Sequence, residues 1–290
     1  MVEFGKVLTA MVTPFNEKLE VDYKRLNELT DRLLNLGSDG LVISGTTGES
    51  PTLTKEEKLE IFKTIRKNFK KPIIAGTGSY STEDSIFLSK AAQEIGVDAL
   101  LLVNPYYNKP SQEGLYQHFK TIAMSVDIPI ILYNHPGRTG VCIEPETLER
   151  LAKIKNIVAI KDSSGNLSLI SEYKRHTPKE FMIYSGDDPL TLPILSLGGY
   201  GVISVASHIA GLKIKEMITS FNNGNLEKSQ LIHYQLWELF KVLFCAPSPA
   251  PTKEALSLIG FNVGGVRLPL VNVNETQREM IKKVITNLDI

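Results

Sequence analysis

The chemistry in this chain is concentrated at one lysine. Asn156–Asn166 runs through Ile157-Val158-Ala159-Ile160, then Lys161, then a polar turn with Gly165. Four apolar residues, two of them isoleucine and one valine, read as a short buried strand. A lysine at the end of such a strand is costly, because taking an ammonium out of water is unfavourable. The same cost favours the neutral amine, which can attack a carbonyl and form a Schiff base. The plainer alternative is a lysine that reaches along the strand end to solvent.

Other reactive residue types recur after short apolar runs. Ser44-Gly45-Thr46-Thr47-Gly48-Glu49-Ser50 follows one run. Its two glycines would free the backbone, letting amide N–H groups and threonine hydroxyls converge on a carboxylate, although a Gly/Thr turn can equally be only a turn. Asn104-Pro105-Tyr106-Tyr107-Asn108-Lys109-Pro110 follows another, and Tyr133 to Gly140 a third. Tyr133 falls one strand before Lys161 at the same depth and could carry its protons. Arg138 offers a planar, permanently charged fork suited to a carboxylate; its alternative is a surface loop arginine. Adjacent Tyr106 and Tyr107 cannot easily face one pocket, which points to an interface.

Eight apolar runs set the positions of these residues. They are Val7–Val12, Gly40–Ile43, Pro72–Ala75, Ala99–Val103, Pro129–Tyr133, Ile157–Lys161, Phe181–Tyr184 and Gly201–Val205. Helical patterns separate them, as in Asp22–Leu36, where Leu26, Leu29, Leu33 and Leu36 share a face. Thr54 and Glu57 form a capping box, and Ser81-Thr82 starts another helix. The expected fold is α/β, a (β/α)8 TIM barrel over residues 1–224 with a helical extension over 225–290. A doubly wound open sheet is the competing architecture, but no G-x-G-x-x-G follows the first run. In the extension, Leu231, Tyr234, Leu236, Trp237, Phe240, Val242 and Leu243 are expected to make one broad apolar face.

Composition excludes several classes. The 290 residues are 42% hydrophobic and 22% charged, with 32 basic and 32 acidic side chains, so nothing draws the chain to nucleic acid. Cys142 and Cys245 are far apart, make no metal motif, and fit a reduced cytoplasmic compartment. Met1–Lys6 has no leader character. Leu190–Leu212 lacks Asp, Glu, Lys and Arg but is interrupted by Pro193, Gly198, Gly199 and Gly201, and reads as a buried helix, a turn and a strand rather than a membrane span. The five histidines are scattered without ligand spacing, so no metal or other cofactor is expected.

Six motifs in order, Gly45–Ser50, Pro105–Pro110, Tyr133–Gly140, Ile160–Asn166, Ser185-Gly186-Asp187-Asp188 and Gly201–Ser204, resemble the dihydrodipicolinate synthase (4-hydroxy-tetrahydrodipicolinate synthase) family nearly end to end. The resemblance implies a lyase of lysine and diaminopimelate biosynthesis that condenses pyruvate with L-aspartate 4-semialdehyde. It implies Lys161 as the Schiff base, and Tyr133 as proton relay partnered by Thr46 and by Tyr107 of a neighbouring protomer. Thr47, the backbone of Ile203 and Gly186 would bind substrate, with Arg138 on the aldehyde's carboxylate. It also implies a homotetramer built as a dimer of dimers. No metal is called for, because the iminium itself supplies the positive charge. A sister lyase of the same barrel, acting on sialic acid or a 2-keto-3-deoxy sugar acid, would keep Lys161 and Tyr133 but tends to lack Arg138. His135, Asn104 and Ala246–Lys253 depart from the commoner family pattern, and His135 bears on pH dependence.

Overall fold

The computed structural model describes residues 3–288; Met1 and Val2 of the amino-terminal stretch lie outside the described residues. The eight runs form strands β1 (Val7–Ala10), β2 (Gly40–Ile43), β3 (Ile73–Gly76), β4 (Ala99–Val103), β5 (Ile130–Asn134), β6 (Ile157–Asp162), β7 (Met182–Ser185) and β8 (Gly201–Ser204). All pair in parallel and in sequence order, and β8 closes on β1 through Val7 and Val202. The open sheet is therefore excluded, and the chain is a (β/α)8 barrel.

Strand alternation builds two cores. Side chains such as Leu8, Val42, Ile131, Ala159 and Tyr184 fill the inside of the barrel. Their neighbours Val7, Leu41, Ile130, Leu132 and Ile160 face outward into a larger core shared with the helices. The caps fix where helices start. Asp22 accepts from the Arg25 N–H, and the Thr54–Glu57 capping box is complete on both sides. Ser81 caps the helix Thr82–Ile95.

The stretch after Leu190 is a short helix (Thr191–Ser196), a turn, β8, and the beginning of the helix Ser207–Asn222. Among the described residues no helix is long and apolar enough to cross a membrane. Beyond it come helices Leu226–Gln235, Trp237–Val242, Ala250–Leu258 and Glu275–Thr286. The single apolar face expected over 231–243 is split. Leu236, Phe240, Val242 and Leu243 are buried, whereas Leu231, Tyr234 and Trp237 are exposed. The cause is helical geometry: Ile232, Leu236, Phe240 and Leu243 recur at spacings of three and four on one side, whereas Leu231, Tyr234 and Trp237 fall outside that stripe.

The end of β8 is held by buried polar bonds. Asp188, fully buried, accepts from Ser204 Oγ at 2.5 Å and from the backbone N–H of Val205 and Ala206 at 3.0 and 2.9 Å. His208 accepts the Val12 N–H at Nε2 (3.1 Å), so its proton sits on Nδ1 and is donated to the Val205 carbonyl at 2.8 Å. Burial pushes His208 down to about 4. The unfolded chain takes up this proton first, so the stabilising contribution is complete above about pH 6.5 and is lost as pH falls toward 4. His118 and His135, also lowered to about 4, act in the same sense, and Asp187, raised to about 6, acts in the opposite one. His208→Gln isolates one of them. Urea unfolding should show it less stable at pH 7.5 by about 1–3 kcal/mol, with a gap from wild type that narrows by pH 5. A constant gap across that range would show that His208 does not titrate with folding.

Candidate active site

Tyr133 and Lys161 are register partners on neighbouring strands, and Lys161 pairs on its other side with Tyr184. Both Tyr133 and Lys161 are 5% exposed. The Lys161 ammonium lies 4.3 Å from the centre of the Tyr133 ring. Lys161 makes no ion pair among the described residues, so the lysine does not simply run out to solvent or to an acid.

The next residues along, Asn134 and Asp162, point the other way and lock the two strand ends together. Asn134 Nδ2 donates to Asp162 Oδ2 at 2.8 Å, and Asn134 Oδ1 accepts from the Ile143 N–H and from Asn104 Nδ2, both at 3.0 Å. Asn104 also reaches the Val141 carbonyl at 3.2 Å. Asp162 further accepts the Ser164 N–H and hydroxyl. Its carboxyl is raised, by burial first, against those bonds. Inward-facing reactive groups are thus aimed by outward-facing amides one residue on.

A cavity of about 610 Å³ opens above Lys161, lined also by Thr46, Thr47, Tyr133, Arg138, Gly186 and Asp187. A second chamber of about 230 Å³ shares Thr46, Tyr133 and Arg138 and adds Tyr106. Arg138 sits on the four-residue helix Pro136–Thr139 and forms no ion pair among the described residues. Of the residues singled out, the barrel gathers Lys161, Tyr133, Thr46, Thr47, Arg138 and Gly186 around one space. Ile203 belongs to the interior packing of the barrel, while Val205 lines the cavity. Tyr107 lies outside: its side chain is 93% exposed and its backbone is left-handed (φ 74°).

The Thr46–Thr47 turn is not shaped as expected. The left-handed residues are Ser44 (φ 50°) and Glu49 (φ 57°), not the glycines. Gly48 is needed for close approach instead, since a Cβ there would meet Ser44 N at 3.1 Å and the Met11 carbonyl at 3.2 Å.

Sequence reasoning missed several groups. Asp187 was quoted within a motif but given no role. It faces the cavity, and burial, with the Asp188 charge, pushes it up to about 6. Phe240, Lys241, Phe244 and Ser248 form a wall from the helical extension, which no strand-end pattern could have flagged. His135 packs edge-on to Tyr133 with ring centres 5.8 Å apart. Burial, then the Arg138 and Lys161 charges, lower it to about 4, so it is neutral at neutral pH.

Gly186 leaves room for the lysine. A Cβ there would stand 2.1 Å from Ser163 Oγ and 2.7 Å from Lys161 Cε. Gly186→Ala should therefore fold but displace Lys161, costing on the order of 10²-fold in kcat/KM, as misplacing a reacting group by about 1 Å does. Adding Ser163→Ala removes the hydroxyl clash but not the contact with Cε, so steady-state assays should show only partial recovery. Full activity in Gly186→Ala alone would refute the packing role.

Residues 3–288 match the Dihydrodipicolinate synthetase family. The 4-hydroxy-tetrahydrodipicolinate synthase of Bacillus subtilis is 54% identical, over 99% of this chain and 100% of that protein. The enzyme of that name from Desulforamulus reducens is 53% identical, over 99% of this chain and 98% of its own. A crystal structure of a dihydrodipicolinate synthase from Bacillus anthracis superimposes with a TM-score of 0.98 at 47% identity, covering 100% of both chains. With the lysine, tyrosine and arginine of the six motifs gathered on one rim, this chain belongs to the dihydrodipicolinate synthase family.

Proposed function

We propose that the chain is a Schiff-base lyase that condenses pyruvate with L-aspartate 4-semialdehyde in lysine and diaminopimelate biosynthesis. The observation that carries this reading is a buried lysine with no acidic partner, in register with a tyrosine, at the floor of a cavity that also holds Arg138. The neutral Lys161 amine attacks the pyruvate carbonyl and water leaves. The iminium, as an electron sink, acidifies the methyl group; its proton passes to the Tyr133 relay, and the carbon of the resulting enamine attacks the aldehyde. The product amine then cyclises and transimination frees Lys161.

The remaining groups fit this sequence by charge. Thr47 and the Ile203 backbone hold the pyruvate carboxylate, and Thr46 and Tyr133 pass protons. Arg138 takes the second substrate's carboxylate. Asp187, ionised above about pH 6, offers a counter-charge to that substrate's ammonium. Arg138 and Asp187 thus match the carboxylate and the ammonium of the second substrate.

Borohydride added with pyruvate should leave one reduced pyruvyl group on the peptide containing Lys161, read by mass spectrometry, and abolish turnover. In Arg138→Ala the same trapping should survive while the apparent affinity for the aldehyde falls about 10²-fold, the scale for losing a charge-assisted pair. Label on another lysine would sink the Schiff-base assignment, and unchanged aldehyde affinity would sink the arginine's.

The reading extends to assembly. Tyr107 stands outside its own chain's cavity in a strained conformation, as suits a side chain that enters a neighbour's site. Leu226, Leu231, Tyr234 and Trp237 are exposed apolar side chains of the extension, in keeping with a homotetramer built as a dimer of dimers. Free Cys142 and Cys245 suit a reduced cytoplasmic compartment. Sedimentation should show an oligomer, and Tyr107→Phe should lower kcat without unfolding the chain. A fully active monomer would refute the shared site.

A further inference from the structure

The turn that carries Thr46 and Thr47 ends at Glu49, whose backbone is left-handed (φ 57°, ψ 36°). L side chains stay in that conformation only where the surroundings hold it. Here the surroundings come from the far end of the chain. Glu49 Oε1 lies 2.7 Å from Lys253 Nζ, and the two side chains are 1% and 3% exposed. Glu49 Oε2 accepts the Arg267 N–H at 2.9 Å. Lys253 also donates to the Gly265 carbonyl at 2.7 Å and sits 4.1 Å from the centre of the Phe15 ring. The Arg267 guanidinium bonds Glu57 and the Thr52 carbonyl, just beyond the turn, and the Leu19 carbonyl in the loop after β1.

Within the turn, the Glu49 N–H donates to the Thr46 carbonyl at 3.0 Å, and Thr13 Oγ1 donates to the Gly48 carbonyl at 2.7 Å. A buried ion pair is a weak source of net stability, because desolvation offsets the attraction. Its strength is direction: a carboxylate gripped by an ammonium and an N–H can occupy one place. Neither Glu49 nor Lys253 lines the cavity above Lys161, so neither touches substrate.

We propose that Glu49 and Lys253 are positioning residues, whose buried ion pair fixes the Thr46–Thr47 turn so that both threonines line the cavity with Lys161. This rests on the reading that those threonines meet pyruvate. It makes the helical segment after residue 225 a working part of the site, holding from behind the turn that receives the first substrate.

Lys253→Met alone strands a buried carboxylate and can fail to fold, so the decisive variant is Glu49→Gln with Lys253→Met, which removes both charges at nearly constant volume. Kinetics are expressed per active site trapped at saturating pyruvate with borohydride. The expected result is a rise in KM for pyruvate of about tenfold or more, with KM for the aldehyde within about twofold, since misplacing the turn affects one substrate. Amide hydrogens of the peptide 44–52 should exchange at least about tenfold faster than in wild type. An unchanged KM for pyruvate, even with a lower melting temperature, would reduce the pair to a structural role and overturn the proposal. If wild type forms no imine at Lys161, the reaction reading falls. Exchange at 44–52 then decides the clamp by itself: faster exchange in the double variant upholds it, and unchanged exchange removes it.

Discussion

The structure depends on keeping the amine of Lys161 out of water without giving it a carboxylate. A neighbouring acid would stabilise the ammonium and silence the nucleophile. The barrel avoids this by surrounding the strand end with the Tyr133 ring and by turning Asp162, the nearest acid in sequence, to the opposite side of the sheet. Period-two alternation makes the separation automatic: residue 161 faces in, so residue 162 faces out. The outward acid is then used up by Asn134 and Ser164. The same rule sends Tyr133 inward and Asn134 outward one strand away.

Electrostatics around that lysine combine the Arg138 guanidinium with Asp187, which faces the same cavity without an ion pair to Lys161. Arg138 adds a second unpaired cation, and the two charges help keep His135 neutral. The substitution that set this chain apart at position 135 therefore brings an aromatic edge against Tyr133 rather than a third charge. Asn104, another departure, does structural work by tying Asn134 to the Val141 carbonyl.

The barrel and most of its rim were legible in the sequence because both follow from short-range rules. Apolar runs give strands, caps give helix starts, and strand ends give the reactive face. What was illegible is non-local. The glycines of the Gly-Thr-Thr-Gly turn advertised backbone freedom, yet the strain fell on Ser44 and Glu49, where contacts with Lys253 and Arg267 hold the second of them. The apolar run over 231–243 holds too many apolar residues for one stripe, and Leu231, Tyr234 and Trp237 fall on the side turned to solvent. Phe240 and Ser248 line the cavity only because the extension folds back over the barrel mouth. Resemblance carried the roles of Thr47, Ile203 and Tyr107; their residue types alone would not have.

Strain and support are distributed in a consistent way. Among the described residues, four of the five non-glycine positions with positive φ, Ser44, Glu49, Tyr107 and Lys109, lie in the loops after β2 and β4. Loops of a closed barrel can bear this, because the strands beneath are paired on both sides and gain nothing by relaxing. Strain of this kind needs an external hold. For Glu49 the hold is the buried pair with Lys253; beside the exposed Tyr107, Asn108 ties the loop by donating to the Tyr80 carbonyl at 3.1 Å. The two threonines would then be positioned by a part of the molecule that never meets the substrate and lies distant in sequence.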